Sequence, residues 1–478
     1  MLALAAHIPS PTPDAVAGTT VDFHSLLVIN FRREHNERQP INRLPVELLG
    51  MIFTILSNDD RPRQSLISAF SLGSSRPNLG WIRVTHVCHY MRNVCLSMKL
   101  LWAKVIFTFP SATSVILSRM ENTPFPLRWD FSCDMSSLSK NALVVEALQH
   151  LPQITDLDLT ADDRTFNDIA SRMSSYTAES LEKLSLTHSE KISPTTPTCY
   201  AFQTTLFAGR TTKLRHLSLR RCTIPWGSPL FQDLTRMEII LDELIPSSKL
   251  SSIENLLDIL SGAPSLAVLK LVYAIPKSSP SGALPVVALN HLQYIYLVGE
   301  RSDVMALWTH VILPKGAVAN VECVDNISID ECNSLASILT HARKLEELGS
   351  SYGISFATNL ASAAIQFWVP FEGHTASTIV PVGPFNHDHR PVLTLKFPSP
   401  RVVSDLELLA LGLFRRVSFC NIQALALNLR GVQLASWVDL LMLFPRLTTL
   451  YTHGATFWRI SEALNVGYDR SPGCYSRV

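Results

Sequence analysis

The clearest pattern in this chain is Leu214-Arg215-His216-Leu217-Ser218-Leu219-Arg220-Arg221-Cys222-Thr223-Ile224. Leucine occupies the first, fourth and sixth positions, and polar side chains alternate with the last two leucines. Alternation with a period of two is typical of a β-strand that buries one face and exposes the other. The segment therefore predicts a short strand with its leucines in a core and His216, Ser218 and Arg220 on the opposite face.

The same spacing recurs after residue 150 at steps of 20 to 33 residues. Seven copies share it: Ile154/Leu157/Leu159, Leu181/Leu184/Leu186, Leu214/Leu217/Leu219, Leu234/Met237/Ile239, Leu266/Leu269/Leu271, Leu292/Ile295/Leu297 and Val318/Val321/Cys323. Helical patterns lie between copies, as in 255–260 and 331–339. One strand plus one helix is the plan of a leucine-rich repeat, whose period is about 20–29 residues.

We therefore expect an α/β fold in which an irregular leucine-rich-repeat solenoid fills residues 141–465. The uneven steps indicate degenerate repeats. The register fails between 351 and 392, where Phe367-Trp368-Val369-Pro370-Phe371 suggests an insertion or a distorted repeat. Leucine is a common residue, so an ordinary α/β protein with a few such hexads is the alternative.

A region of different character spans residues 41–107. Leu44-Pro45-Val46-Glu47-Leu48-Leu49-Gly50-Met51-Ile52-Phe53 places a proline at a helix start and apolar side chains at helical spacing. Asn58-Asp59-Asp60-Arg61-Pro62 then ends that helix. A second helical spacing joins the apolar residues Val84, Val87, Cys88, Met91, Val94 and Cys95. Periodicity alone predicts a few short helices, which an ordinary helical cap would also contain.

The residues of this region resemble an F-box. The patterns Leu-Pro-x-Glu-Leu-Leu-x-x-Ile-Phe from Leu44, Val-Cys-x-x-x-Arg-x-Val from Val87 and Leu-Trp at 101–102 are similar to those of fungal F-box-like proteins over residues 41–107. The resemblance implies a short all-helical F-box-like module that binds a Skp-family adaptor, and through it a cullin-RING ubiquitin ligase. It implies adaptor contacts by Leu44, Pro45, Leu48, Leu49, Ile52 and Phe53.

On this resemblance the chain is the substrate-recognition subunit of a Skp/cullin/F-box ubiquitin ligase and not itself an enzyme. The repeats would then bind the client protein that the ligase modifies. Met91 stands where many relatives carry tryptophan. A leucine-rich-repeat interaction scaffold with a non-functional F-box is therefore the alternative, and an unrelated hydrolase is the weakest third reading.

The side chains between the repeated leucines predict where a client binds, because they share the exposed face of the strands. The row begins acidic with Asp156 and Asp158 and ends near Tyr451 and His453. Its central basic and aromatic residues are the predicted client contacts: Lys183, His216, Arg220, Arg236, Lys270, Tyr294 and Tyr296. Cations of this kind would suit a phosphorylated client. A merely solvated polar face is the alternative for any one of them.

Composition limits the remaining possibilities. The 478 residues carry a formal net charge of +1 with 17% charged side chains, which argues against nucleic-acid or membrane partners. Nine cysteines without a Cys-x-x-Cys pair fit a reducing compartment, so we expect the cytoplasm, the nucleus or both. We expect a disordered leader at 1–20, a cap or connector with a strand or two at 108–140, and frayed residues at 465–478.

No motif for catalysis or cofactor binding occurs. The sequence lacks a nucleophile elbow, a Walker loop, a dinucleotide glycine set and a His-Glu-x-x-His pair. His387-Asp388-His389 lacks further ligands, and His86 and His89 would be surface residues of a helix whose core side includes Cys88. We therefore predict no cofactor, no metal and no catalytic residue.

Overall fold

The computed structural model describes most of the chain. The described residues are 23–62, 78–106, 108–109, 112–131, 148–189, 199–203, 206–243, 250, 252–277, 284–314, 316–325, 335–340, 352–358, 362–368, 391–398, 411–417, 419, 421–428, 439–452 and 460–461. The predicted leader at 1–20 and the residues at 465–478 lie outside these ranges.

The chain divides into two compact units, Met1–Phe125 and Pro126–Val478. This division falls inside the connector that we expected at 108–140. The described part of the first unit contains five α-helices: α1 (Phe23–Glu37), α2 (Val46–Asp59), α3 (His89–Ser97), α4 (Lys99–Ala103) and α5 (Thr113–Met120). It also contains two 3-10 helices, Pro40–Arg43 and Gly80–His86.

Two tryptophans form the centre of the first unit. Trp81 and Trp102 are buried and meet edge to face with ring centroids 5.2 Å apart, a favourable arrangement for aromatic pairs. The Trp102 indole N–H donates a 2.9 Å hydrogen bond to the carbonyl of Cys95. Leu49 and Phe53 bury the inner side of α2. The described residues of 41–107 contain short helices as predicted, and α2 ends at the predicted turn.

One predicted helix is divided in two. The segment from Val84 to Cys95 changes element after His86, and α3 begins only at His89. Cys88 caps α3 with extended backbone, and its sulfur accepts the Met91 N–H at 3.5 Å. The helical spacing is interrupted at Cys88, because a capping residue lies just outside the helix that follows it. Helix α1 was not predicted from the sequence.

In the described residues of the second unit, thirteen strands form one large sheet, and four further short strands form two small sheets. In chain order the strands are β1 (Phe125–Asp130), β2 (Ile154–Ala161), β3 (Lys183–His188), β4 (Tyr200–Ala201), β5 (His216–Arg220), β6 (Cys222–Thr223), β7 (Arg236–Ile240), β8 (Val268–Val272), β9 (Val287–Ala288), β10 (Tyr294–Gly299), β11 (Val311–Ile312), β12 (Val318–Cys323), β13 (Tyr352–Thr358), β14 (Ser362–Trp368), β15 (Leu393–Pro398), β16 (Ile422–Asn428) and β17 (Thr449–Thr452). The large sheet has the order β1-β2-β3-β5-β7-β8-β10-β12-β15-β14-β13-β16-β17.

Each of the seven repeated hexads lies at a strand of this sheet. The seven strands β2, β3, β5, β7, β8, β10 and β12 are neighbours, parallel and paired in register. Leu159, Leu186 and Leu219 form one buried row across them, each fully inaccessible to solvent. Parallel neighbours require crossover connections, as in an α/β protein. The predicted α/β class is confirmed as a mixed structure with a large, mostly parallel sheet.

The register failure predicted at 351–392 coincides with a change in strand direction. β14 runs antiparallel to both β13 and β15. The strand order is also no longer sequential there, because β15 and not β13 pairs with β12. Phe367 is buried in β14, which makes this part of the aromatic cluster a core strand. Residues 369–390 lie outside the described ranges.

Helices of the second unit follow several of the strands. They include α6 (Asp163–Met173), α7 (Ile253–Ser261) and α8 (Arg301–Trp308). α7 confirms the helix predicted at 255–260. Residues 335–340 are helical and overlap the pattern predicted at 331–339, whose first four residues lie outside the described ranges. Within the described residues, no helix combines the length and apolar character that a membrane crossing requires.

Candidate interaction surfaces

An apolar stripe on α2 is exposed to solvent. Leu48, Met51, Ile52 and Ile55 follow the spacing of one helix face, and 47%, 63%, 41% and 61% of their surfaces are accessible. We call these four residues the α2 stripe. Large aliphatic side chains grouped on an exposed helix face are typical of a protein-binding surface.

The six predicted adaptor contacts separate into two groups. Leu48 and Ile52 belong to the α2 stripe, and Pro45 beside it is exposed. Leu49 and Phe53 point the other way and are only 0% and 3% exposed, so they hold α2 against its own unit. Leu44 is half-buried, and its carbonyl accepts a 3.1 Å hydrogen bond from the Tyr90 hydroxyl.

Sequence reasoning missed Met51 and Ile55. Both complete the helical spacing that begins at Leu48, three and seven residues later, and this spacing could have identified them. Further exposed apolar side chains lie in the same unit: Ile41, Val46, Val87 and Leu100.

A second surface is the face of the large sheet opposite its buried leucines, on β3, β5, β7, β8, β10, β12 and β15. We call it the polar face. All seven predicted client contacts lie on it. The register aligns Lys183, His216 and Arg236 in one row and Lys270 with Tyr296 in the next, whereas Arg220 lies at the end of β5. By the same register Tyr451 is also on this face, at β17; His453 lies outside the described residues.

Carboxylates neutralise part of this basic row. Asp156 on β2 lies 3.7 Å from Lys183 and 3.8 Å from Arg128, atom to atom. Arg236 donates to Glu238 at 2.5 Å. Partial burial, together with the charges of Lys183 and Arg236, lowers the pKa of His216 below its ordinary value. His216 is therefore neutral near pH 7, and this end of the polar face is less basic than its sequence indicates.

The tyrosines of β10 are fixed by β12. Asn320 donates a 3.0 Å hydrogen bond to the Tyr294 hydroxyl, and the Tyr296 hydroxyl donates to Glu322 at 3.3 Å. Lys270 stands over the Tyr296 ring, 5.3 Å from its centroid. Burial and the Glu322 charge raise the pKa of Tyr296 to about 12, so its hydroxyl stays protonated.

A groove of about 640 Å³ runs along this part of the polar face. Its lining includes Arg236, Tyr294 and Tyr296, and it continues onto β12, β15 and the adjoining β14. The polar lining residues that sequence reasoning missed are Gln293, Asn320, Glu322, Gln366, Thr394 and Lys396. Gln366, Thr394 and Lys396 were missed because the repeat register fails before β15, so that no strand could be aligned there from spacing. Asn320 and Glu322 lie within the last hexad, where the alternation of side chains could have identified them.

The described residues hold no cluster of three or more histidine, cysteine or acidic side chains positioned for a metal. His86 and His89 are exposed and belong to separate elements, and His387-Asp388-His389 lies outside the described ranges. The described cysteines are free thiols. Burial raises the pKa of Cys95 to about 11 and that of Cys323 to about 12, so neither is a ready nucleophile.

No protein-family model matches this sequence, and a search of curated proteins found no significant match. The geometry of the two surfaces is therefore the basis for the functional conclusion.

Proposed function

We propose that this chain is the substrate-recognition subunit of a Skp/cullin/F-box ubiquitin ligase. In this proposal the first unit acts as an F-box and binds a Skp-family adaptor. The second unit acts as an irregular leucine-rich-repeat domain and binds the client protein. The chain contributes binding and positioning, whereas other subunits carry out ubiquitin transfer.

The single observation that carries the proposal is the α2 stripe. Its four side chains are held outward because Leu49 and Phe53 fix the opposite side of the same helix. Covering a half-exposed aliphatic side chain contributes on the order of 1 kcal/mol, so a partner gains several kcal/mol from the stripe. Leu48, Met51 and Ile52 of the stripe lie within the Leu-Pro-x-Glu-Leu-Leu-x-x-Ile-Phe pattern at 44–53 that resembles an F-box, and Ile55 follows two residues after it.

The client half of the proposal is supported by the sheet. Side chains from seven neighbouring strands project on one face, which gives an extended surface of the kind that repeat proteins use for binding. Tyrosine and arginine, which contribute strongly to protein interfaces, both occur on it. The free thiols fit a reducing compartment, and we propose the cytoplasm, the nucleus or both.

The experiment is co-purification of the tagged full-length chain with a Skp-family adaptor, comparing Ile52→Asp with Thr54→Asp. Both positions are exposed on α2 and both variants add one carboxylate, but only Ile52 belongs to the α2 stripe. We expect Ile52→Asp to lose capture, because an unpaired charge at an apolar interface costs a few kcal/mol. Thr54→Asp should keep it.

Circular dichroism of both variants verifies that the fold is intact. Failure of the folded wild type to capture any Skp-family adaptor would contradict the ligase proposal. The scaffold with a non-functional F-box would then be the better account, because the second unit keeps its binding face without an adaptor.

A further inference from the structure

The polar face is more cationic toward its centre and far side than at its first edge. From β3 to β15 it carries two carboxylates, Glu238 and Glu322. Five cations share it: Lys183, Arg220, Arg236, Lys270 and Lys396. Beside the edge strand β1, by contrast, β2 contributes Asp156 and Asp158. An acidic ligand is therefore attracted to the centre and far side and repelled from β2.

The two carboxylates are already occupied. Glu238 accepts from Arg236, and Glu322 accepts from the Tyr296 hydroxyl. Within the described ranges, Arg220, Lys270 and Lys396 have no carboxylate within ion-pair distance. These three cations can therefore take acidic groups from a ligand.

Lys396 lines the groove, and Lys270 borders it above the ring of the lining residue Tyr296. The groove also presents a hydroxyl donor. Because Asn320 donates to the Tyr294 oxygen, the Tyr294 proton is left to bond elsewhere. Val268 and Val318 line the same groove and provide an apolar contact. The site thus combines a small apolar surface with hydrogen-bond donors and cations.

The groove reaches from β7 to β14, which are six neighbouring strands in the sheet. Strands are spaced by about 4.8 Å, so the groove is roughly 24 Å long. An extended polypeptide advances about 3.3 Å per residue, and about seven residues would fill it. Isolated cations at this spacing match separate carboxylates. They are too few, and too close to Glu238 and Glu322, to match a continuous phosphate backbone.

We infer that the polar face binds an extended acidic segment of a protein, about seven residues long. Its carboxylates contact Lys270 and Lys396, and an apolar residue between them packs against Val268 and Val318. The inference rests on the proposed function only where it identifies the partner that carries this acidic segment as a client of the ligase. The same recognition would hold for a scaffold, and its test does not involve the adaptor.

The test is selection of random dodecapeptides displayed on phage against the full-length chain, followed by fluorescence anisotropy of the best labelled peptide. We expect selected peptides to be enriched in aspartate and glutamate around an apolar residue. Lys270→Glu and Lys396→Glu should each weaken binding on the order of tenfold or more, because repulsion replaces attraction. Lys277→Glu, an equal charge change at an exposed residue of the loop after β8, should leave affinity unchanged.

Three results would overturn the inference: no enrichment over the starting library, enriched peptides without acidic residues, or equal weakening by Lys277→Glu. Displacement of the peptide by a single-stranded oligothymidylate that binds more tightly would assign the face to nucleic acid instead. Thermal melting of each variant by circular dichroism separates lost binding from lost folding. Lys396 is exposed, so its variant remains informative if Lys270→Glu misfolds.

Discussion

At the scale of single residues, consecutive residues of one strand have different roles, one in the core and the next on the surface. Leu219 is completely buried, whereas Arg220, the next residue, is exposed on the polar face. The alternation follows from strand geometry, in which successive side chains leave opposite sides of the sheet. Stability and binding are therefore assigned to alternate residues of the same few strands.

This separation predicts the effect of two adjacent substitutions. Leu219→Ala removes buried methyl groups and should lower the free energy of unfolding by about 2–5 kcal/mol. Arg220→Ala should change it by less than about 0.5 kcal/mol, because an exposed side chain loses little. Urea unfolding monitored by far-UV circular dichroism measures both. Equal losses would contradict the assignment of Leu219 to the core.

His216 gives a prediction about pH. Partial burial and the charges of Lys183 and Arg236 lower its pKa, so NMR titration should give a midpoint below the 6.5 of a free imidazole. The unfolded chain then binds the proton more readily than the folded one. The contribution of neutral His216 to stability is present above about pH 6.5 and is lost as the pH falls below it.

The matched variants are Lys183→Ala and Arg236→Ala. Each removes one cation beside His216, so each should raise the midpoint of its titration. If neither substitution changed the midpoint of the His216 titration, the charges of Lys183 and Arg236 would not be what lowers the pKa of the ring.

At the scale of elements, the end of α2 depends on one glycine. Gly80 has φ of +53°, and an added Cβ would lie 2.4 Å from the carbonyl oxygen of Asp60. The next residue, Trp81, donates its N–H to that oxygen at 2.9 Å. Only a residue without a side chain allows this close approach, which connects the last turn of α2 to the tryptophan core.

Two glycine substitutions should therefore act in opposite directions. Gly80→Ala should destabilise the first unit by about 1–3 kcal/mol or more, because both the backbone angle and the contact are unfavourable. Gly50→Ala within α2 should stabilise it by about 0.5–1 kcal/mol, since its Cβ meets only Met98 at 3.5 Å. Hydrogen exchange read by mass spectrometry over α2 and α3 measures both. Faster exchange in Gly50→Ala would be the contrary result.

At the scale of the whole molecule, cysteine is used as a core residue in both units. Cys95 lies in the first unit, and Cys222 and Cys323 lie in the second, all three buried. Burial raises the pKa of each thiol and keeps reagents away.

Thiol titration of the reduced chain tests this distribution. At most six of the nine cysteines should react rapidly with a disulfide reagent under native conditions, and all nine should react in urea. Cys95→Ser should leave the rapid count unchanged, because that thiol is already protected. A rapid count above six would place at least one of the three buried thiols within reach of solvent.

The sequence predicted much of the fold and less of the surfaces. Local periodicity located the seven hexad strands, α2 and α7, because each depends on the spacing of apolar residues within a few turns or strands. The division at Cys88 and the antiparallel strand β14 were missed. Both depend on contacts between distant residues, which local spacing does not contain.

The same limit applies to the candidate surfaces. Spacing identified Lys183, Lys270 and Tyr294 as residues of one face, but it could not show which charges were neutralised. Asp156 and Lys183 are distant in sequence and meet only because β2 and β3 are neighbours in the sheet. Lys396 reaches the groove through the pairing of β12 with β15.

By itself the sequence determined the buried rows of the seven hexad strands and the helices α2 and α7, because apolar periodicity fixes the face that each of these elements turns from water. Only the tertiary structure decided which exposed residues act together. The α2 stripe stays open because Leu49 and Phe53 are held in the core, and the groove forms where β10, β12 and β15 become neighbours. Charge neutralisation and shape depend on distances in space, and folding alone sets those distances.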